Sequence, residues 1–284
     1  MQIQPNFTWQ TRIENCTYKH LANSIKCAGD RGDCVNVLIQ LHSCNGCYKM
    51  KNQYVGDIGD FYKFGLLRFI FKSANEQLGV NWYLTGPDSK THGNLTDFGN
   101  ILPVCDPTLN QLLKTVRHPN RSVSEIEQIG ILPRKTVFFR KEIPGGFDAR
   151  NQWHQQALTR LKDCSLVFLD PDNSVQSPKV EYGTTTGQKY AFRDEIEDYY
   201  RQGKTIIVYS QRSREKEPEY LHRFTPLTRD LNCEIRGYRA KTNPIRDFFF
   251  IIHPKHDVFI NERVWSLLND KHWGNQFKEL NPSC

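Results

Sequence analysis

The sequence predicts an α/β domain with a doubly wound, mostly parallel, Rossmann-like sheet and an antiparallel edge strand. Three observations carry this. Leu166–Leu169 is an uninterrupted apolar run, the pattern of a strand buried on both faces, and it stops at Asp170-Pro171-Asp172-Asn173. Thr205–Tyr209 is a second such run, and helical patterns separate the runs from Met50 onward. Glu234–Tyr238 and Phe248–His253 then face each other across a Lys241–Asp247 turn, as an antiparallel pair would.

In chain order, Gly59–Ala74 reads as a helix, with Phe61, Phe64, Leu67, Ile70 and Phe71 three and four residues apart. Val80–Leu84 is a short strand, and Gly86–Gly99 is a polar loop. Pro107–Val116 is helical, and so is Ser122–Ile129, where Ser122 caps and Glu125 takes the capping-box position. Thr136–Phe139 is a strand and Arg150–Leu161 a helix. Arg193–Arg201 is a helix ending near Gly203, and Glu217–Asp230 is helical despite Pro226.

Two units are expected, a cysteine-rich extension over residues 1–49 and the α/β domain over residues 50–284. Five of the nine cysteines (Cys16, Cys27, Cys34, Cys44 and Cys47) fall in the first 47 residues. Cys44-Asn-Gly-Cys47 has zinc-ribbon spacing that Cys27 and Cys34 could complete, but six residues between those two is not a paired knuckle. A poorly ordered extension is the favoured expectation. The 284 residues carry a net charge of +7, which permits a polyanionic partner without requiring one. No apolar run approaches the roughly 18 residues of a membrane span, and the N-terminus has no secretory pattern, so a cytoplasmic protein is expected. Oligomeric state is not legible.

Several chemistries lack their motifs. There is no Gly-x-Gly-x-x-Gly after a strand, no phosphate-binding Gly-x4-Gly-Lys-Ser/Thr loop and no Gly-x-Ser-x-Gly elbow. What stands out is a polar cluster at the carboxyl end of a core strand, where open α/β sheets place their ligand crevices. A second cluster is the row Asp57, Asp60, Lys63, three residues apart at a helix start with glycines at Gly56 and Gly59. Asp57 suits a helix cap, whereas Lys63 in the same row has no capping role. Ser210-Gln211-Arg212, after Thr205–Tyr209, lies at the same sheet edge and is a candidate substrate contact. Glu142 is placed to meet a ribose hydroxyl, with a solvated loop the plainer alternative, and His92 is a weak candidate base.

Gly56-Asp57-x-x-Asp60-x-x-Lys63-Phe64 resembles the Gly-Asn-x-x-Asp-x-x-Lys-His motif of the large-subunit ribosomal RNA adenine-N6 methyltransferases. Leu169-Asp170-Pro171 stands where that family has its Asp-Pro-Pro-Tyr motif. Met50-Lys-Asn-Gln-Tyr-Val-Gly-Asp57 and Leu169-Asp-Pro-Asp-Asn173 also resemble a family of uncharacterised bacterial and phage proteins whose members start at the position of Met50. The resemblance implies a class I methyltransferase fold and S-adenosylmethionine as cofactor. Gly56, Asp57, Asp60, Lys63 and Asp88 would bind the cofactor, and a nucleic acid or nucleotide amine would be oriented by Asp170 with Asn173 and Asp172. The departures are Asp172 for the second proline, Asn173 for the aromatic residue that stacks on the base, and Phe64 for histidine. Two other readings remain open on the same residues. Asp57, Asp60, Asp170 and Asp172 could hold Mg²⁺ for phosphodiester cleavage, or the domain could be a non-catalytic binding module.

Overall fold

The computed structural model describes residues 55–86, 98–100, 102–116, 121–212 and 215–282. The expected extension with its cysteines, Met50, Asp88 and His92 therefore lie outside the described residues. The described chain is a mixed α/β fold around a seven-stranded sheet of order β2-β1-β3-β6-β8-β7-β9. The strands are β1 (Leu78–Asn81), β2 (Val137–Phe139), β3 (Leu166–Leu169), β6 (Thr205–Gln211), β7 (Glu234–Ala240), β8 (Arg246–Ile252) and β9 (Phe277–Leu280). Strands β2, β1, β3 and β6 are parallel neighbours, and β8, β7 and β9 continue the sheet by antiparallel pairing. A small parallel pair, β4 (Ser174–Val175) with β5 (Tyr190–Ala191), follows the polar end of β3.

The helices are α1 (Ile58–Ile70), α2 (Leu102–Cys105), α3 (Pro107–Val116), α4 (Val123–Gln128), α5 (Phe147–Arg160), α6 (Arg193–Arg201), α7 (Glu217–Leu221), α8 (Thr225–Leu231) and α9 (Asp257–Leu268). Strand alternation divides the apolar residues between two cores. Leu166, Phe168, Ile207, Phe248 and Phe250 face α1, α3 and α9, while Val167, Leu169, Ile206, Val208 and Phe249 face α5, α6 and α8. Each such side chain, fully buried, contributes about 1.5–3 kcal/mol. Among the described residues no helix is long and apolar enough to cross a membrane.

Most expected elements are present, and the differences have identifiable causes. The first strand ends at Asn81, not Leu84, because Tyr83 takes a left-handed backbone (φ 47°) and the Asn81 side chain accepts the Tyr83 N–H at 3.3 Å. The apolar run continues beyond the strand because Trp82, Tyr83 and Leu84 pack into the cores from the loop. Glu217–Asp230 is not one helix. A 3-10 turn over His222–Phe224 separates α7 from α8, and Pro226 sits in the first turn of α8, where a missing N–H is harmless. The antiparallel part is larger than one edge strand. The β7–β8 pair is as expected, but β9 adds to β7 and takes the edge.

Ten of the thirteen residues of α1 are buried, including Lys63. Gly65 allows this, since a Cβ there would lie 2.2 Å from Cη2 of the Trp273 ring. Gly65→Ala is therefore expected to destabilise the protein by about 1–3 kcal/mol, the usual cost of overpacking. Urea denaturation measures this, and an unchanged midpoint would contradict the packing described.

Candidate functional site

Parallel strands β1, β3 and β6 end on the same side of the sheet. β1 has its successor β2 on one side and β3 on the other, so the chain changes direction between β1 and β3. Crevices in open α/β sheets form at such a point. The residues after β1 (Trp82, Leu84) and β3 (Asp170, Pro171, Asp172), the end of β6 (Tyr209, Gln211) and the start of α1 (Asp57, Asp60, Lys63, Phe64) line a cavity of about 50 Å³ there. Val55 before α1, Val123 and Ile126 of α4 and Arg246 of β8 complete the described walls.

The entrance to α1 is held by local hydrogen bonds. The Asp57 side chain accepts the Asp60 N–H at 3.0 Å, and the Asp60 carboxylate accepts the Gly56 N–H at 2.8 Å. One helical turn further on, Lys63 Nζ donates to Asp60 Oδ1 and to Asp170 Oδ2, both at 2.9 Å. The ammonium also lies 4.6 Å from the centre of the Tyr209 ring. The two sequence clusters, 107 residues apart, thus meet through one buried ion pair.

Burial alone would lower the Lys63 pKa, but the Asp170 and Asp60 carboxylates outweigh it and hold the ammonium well above its usual range. Burial, then repulsion from Asp60, pushes Asp57 up to about 6. Burial raises the Tyr209 phenol, which stays neutral and able to donate.

The other expected residues divide. Asp172 lines the cavity and accepts from Thr85 Oγ1 at 2.7 Å, fixing the loop after β3 to the loop after β1. The Asn173 backbone is engaged on both sides, its N–H with the Lys189 carbonyl at 2.9 Å and its carbonyl with the Gln211 N–H at 2.6 Å. Ser210, Gln211 and Arg212 do not face the cavity together, because strand alternation sends neighbours to opposite faces. Gln211 lines the cavity, as Tyr209 does. Ser210 is fully buried, hydrogen-bonded to Ser174 and accepting from Tyr220 Oη at 2.9 Å. Arg212 lies 3.9 Å from the Glu217 carboxylate and does not line the cavity. Glu142 pairs through its backbone with Leu84, and its Oε1 stands 3.3 Å from where a Cβ on Gly86 would be.

Sequence reading missed Tyr209, Trp82 and Arg246. Period-two alternation back from Gln211 would have found Tyr209. Arg246 carried no signal, since its place depends on the antiparallel register that sets it opposite Gln211.

Fold and site together define a mixed α/β protein with a charged, partly apolar-walled cavity at the carboxyl edge of its parallel strands. No family model matches the chain, and no curated protein matches it. Among solved structures, the crystal structure of protein LPL1258 from Legionella pneumophila str. Philadelphia 1, of family DUF519, is similar over 79% of this chain and 96% of that one. The TM-score is 0.41 and the sequence identity 9%.

Two outcomes follow from the ion pair and the buried carboxyl. Lys63→Met leaves two buried carboxylates without their cation and should cost about 3–5 kcal/mol. Adding Asp170→Asn should recover part of that loss, and strictly additive denaturation energies would refute the coupling. Asp57 is raised above its unfolded value of 3.8, so the folded state holds its proton more tightly. The stabilisation is present below pH 4 and lost as pH rises through about 6, with a limiting slope of about 1.4 kcal/mol per pH unit. Relative to Asp57→Asn, the wild type should lose stability between pH 4 and 6, and parallel stability curves would contradict this.

Proposed function

We propose that the protein is an S-adenosylmethionine-dependent methyltransferase acting on an amine of a nucleic acid or nucleotide. The observation that carries this is the Lys63–Asp170 ion pair. It joins the helix-entrance motif to the Asp-Pro motif at a sheet switch point, the pairing the resemblance implies. In this reading the sheet is Rossmann-like and of class I methyltransferase type, with residues 50–284 as its domain. The order β2-β1-β3-β6 follows the doubly wound pattern with one outer strand fewer.

The donor set fits such a cofactor. Glu142 beside Gly86 suits ribose hydroxyls, Trp82, Leu84 and Phe64 supply apolar wall, and Asp57 and Asp60 suit an ammonium. When bound, the cofactor supplies an electrophilic methyl group on a sulfonium. Asp170 would accept an N–H of the target amine and align its lone pair, so positioning supplies most of the rate. The Lys63 ammonium, 2.9 Å from Asp170 Oδ2, takes the position the amine needs. Productive binding therefore displaces Lys63 from Asp170.

The free volume of about 50 Å³ favours a second reading. Pockets for small-molecule ligands usually span about 300–1,000 Å³, so a domain that keeps this shape would be a non-catalytic module. For magnesium chemistry, among the described residues no three carboxylate, histidine or cysteine side chains converge as a metal site. Lys63 also pairs with two of the four aspartates.

Calorimetry of the full chain with S-adenosylmethionine separates the first two readings. Micromolar binding is expected, with methyl transfer to RNA or nucleotide amines that falls at least about 100-fold in Asp170→Asn. Absence of binding at millimolar cofactor would leave the non-catalytic module.

A further inference from the structure

Arg246 lines the cavity and has no part in the reading above. Its position is set by the sheet, where it pairs with Gln211 of β6 and Ala240 of β7. It is only 7% exposed. Nη1 reaches the Ile245 carbonyl at 3.3 Å, whereas the buried Nε meets no acceptor among the described residues. Other buried arginines of the fold are neutralised: Arg150 pairs with Glu195, Arg239 with Asp247 and Arg223 with Glu215. Arg246 has no carboxylate at ion-pair distance among the described residues, and Asp57 acts on it only through space.

A buried guanidinium N–H without an acceptor is costly, and a ligand is one group that can complete it. Arg212 Nε and Arg223 Nε also meet no acceptor, but their guanidinium groups each have a carboxylate partner. The surroundings suit an anion. Tyr209 Oη, Asp57 Oδ1 and Arg246 Nε lie 2.7, 3.1 and 3.2 Å from where a Cβ on Gly59 would be, so the three converge over bare backbone. This is the first turn of a thirteen-residue helix, whose dipole favours negative charge. The Asp57 side chain accepts the Asp60 N–H rather than a hydrogen bond from Arg246.

We propose that Arg246, with the Tyr209 hydroxyl beside it, forms an oxyanion subsite that receives a carboxylate or phosphate carried by the molecule the cavity binds. The inference rests on the methyltransferase reading for the two sources of that anion. They are the amino-acid carboxylate of the methyl donor and a phosphate of a nucleotide acceptor.

Calorimetry of the full chain with two probe pairs tests it. S-adenosylhomocysteine against 5′-methylthioadenosine reports the carboxylate source, and adenosine 5′-monophosphate against adenosine reports the phosphate source. In the wild type the member of one pair that carries the carboxylate or phosphate should bind about tenfold or more tightly than its partner. Arg246→Gln should remove that preference while the neutral member's affinity stays within about twofold. Arg246→Lys, which keeps the charge but loses the planar fork, should retain part of it. Equal binding within both pairs overturns the subsite, as does a preference that survives in Arg246→Gln. If Arg246→Gln fails to fold, the wild-type pairs and Arg246→Lys decide. Probes that bind without preference overturn this inference alone, whereas failure of all four to bind overturns the methyltransferase reading and the subsite with it.

Discussion

The ammonium of Lys63, held between Asp60 and Asp170, is the contact on which the site depends. Three charges have left water together, and that is tolerable only because each has partners at hydrogen-bond distance. Asp60 also takes the Gly56 N–H, so the turn before α1, the helix itself and the end of β3 are tied at one point. The contact requires α1 to lie deep against the sheet. Two residues without side chains permit that depth, Gly59 under Tyr209 and Gly65 under Trp273.

On the far face of the sheet a separate polar network supports the same loop. Ser174, just beyond Asp170–Asn173, bonds Ser210, which accepts from Tyr220, while Arg239 grips Asp247 with two hydrogen bonds. The loop after β3 is therefore anchored through its backbone to β6, through Ser174 to the second core and through Asp172 to Thr85. Ser210, which sequence reading offered as a substrate contact, and the backbone of Asn173 take part in this support. They hold the site's position while Asp170, Asp172 and Gln211 supply its surface.

The parts legible in the sequence were those set by local pattern. Leu166–Leu169 and Arg193–Arg201 have the expected bounds because an apolar run ended by proline, and a periodic helix ended near glycine, carry their own limits. Asp57, Asp60 and Lys63 share a helix face by spacing alone. Parts set by distant partners were less legible. Arg246 reaches the cavity through register with β6, and the edge strand β9 has only Phe277 and Leu280 turned inward. Helix α9 did carry a signal, with Ile260, Val264 and Leu267 at helical spacing, and all three are buried.

Among the described residues the sheet ends at β2 on one side and β9 on the other, strands of three and four residues. Unpaired backbone at a sheet edge invites another chain to add itself, and a template this short offers few hydrogen bonds to an incoming strand. On β9 the central pair, Lys278 and Glu279, is exposed and charged, so a second molecule docking there would have to strip water from both. The hydrophobic parallel strands at the centre are thereby flanked by short edges, of which β9 carries the charges. Two copies pairing along β9 would therefore gain little from its four residues.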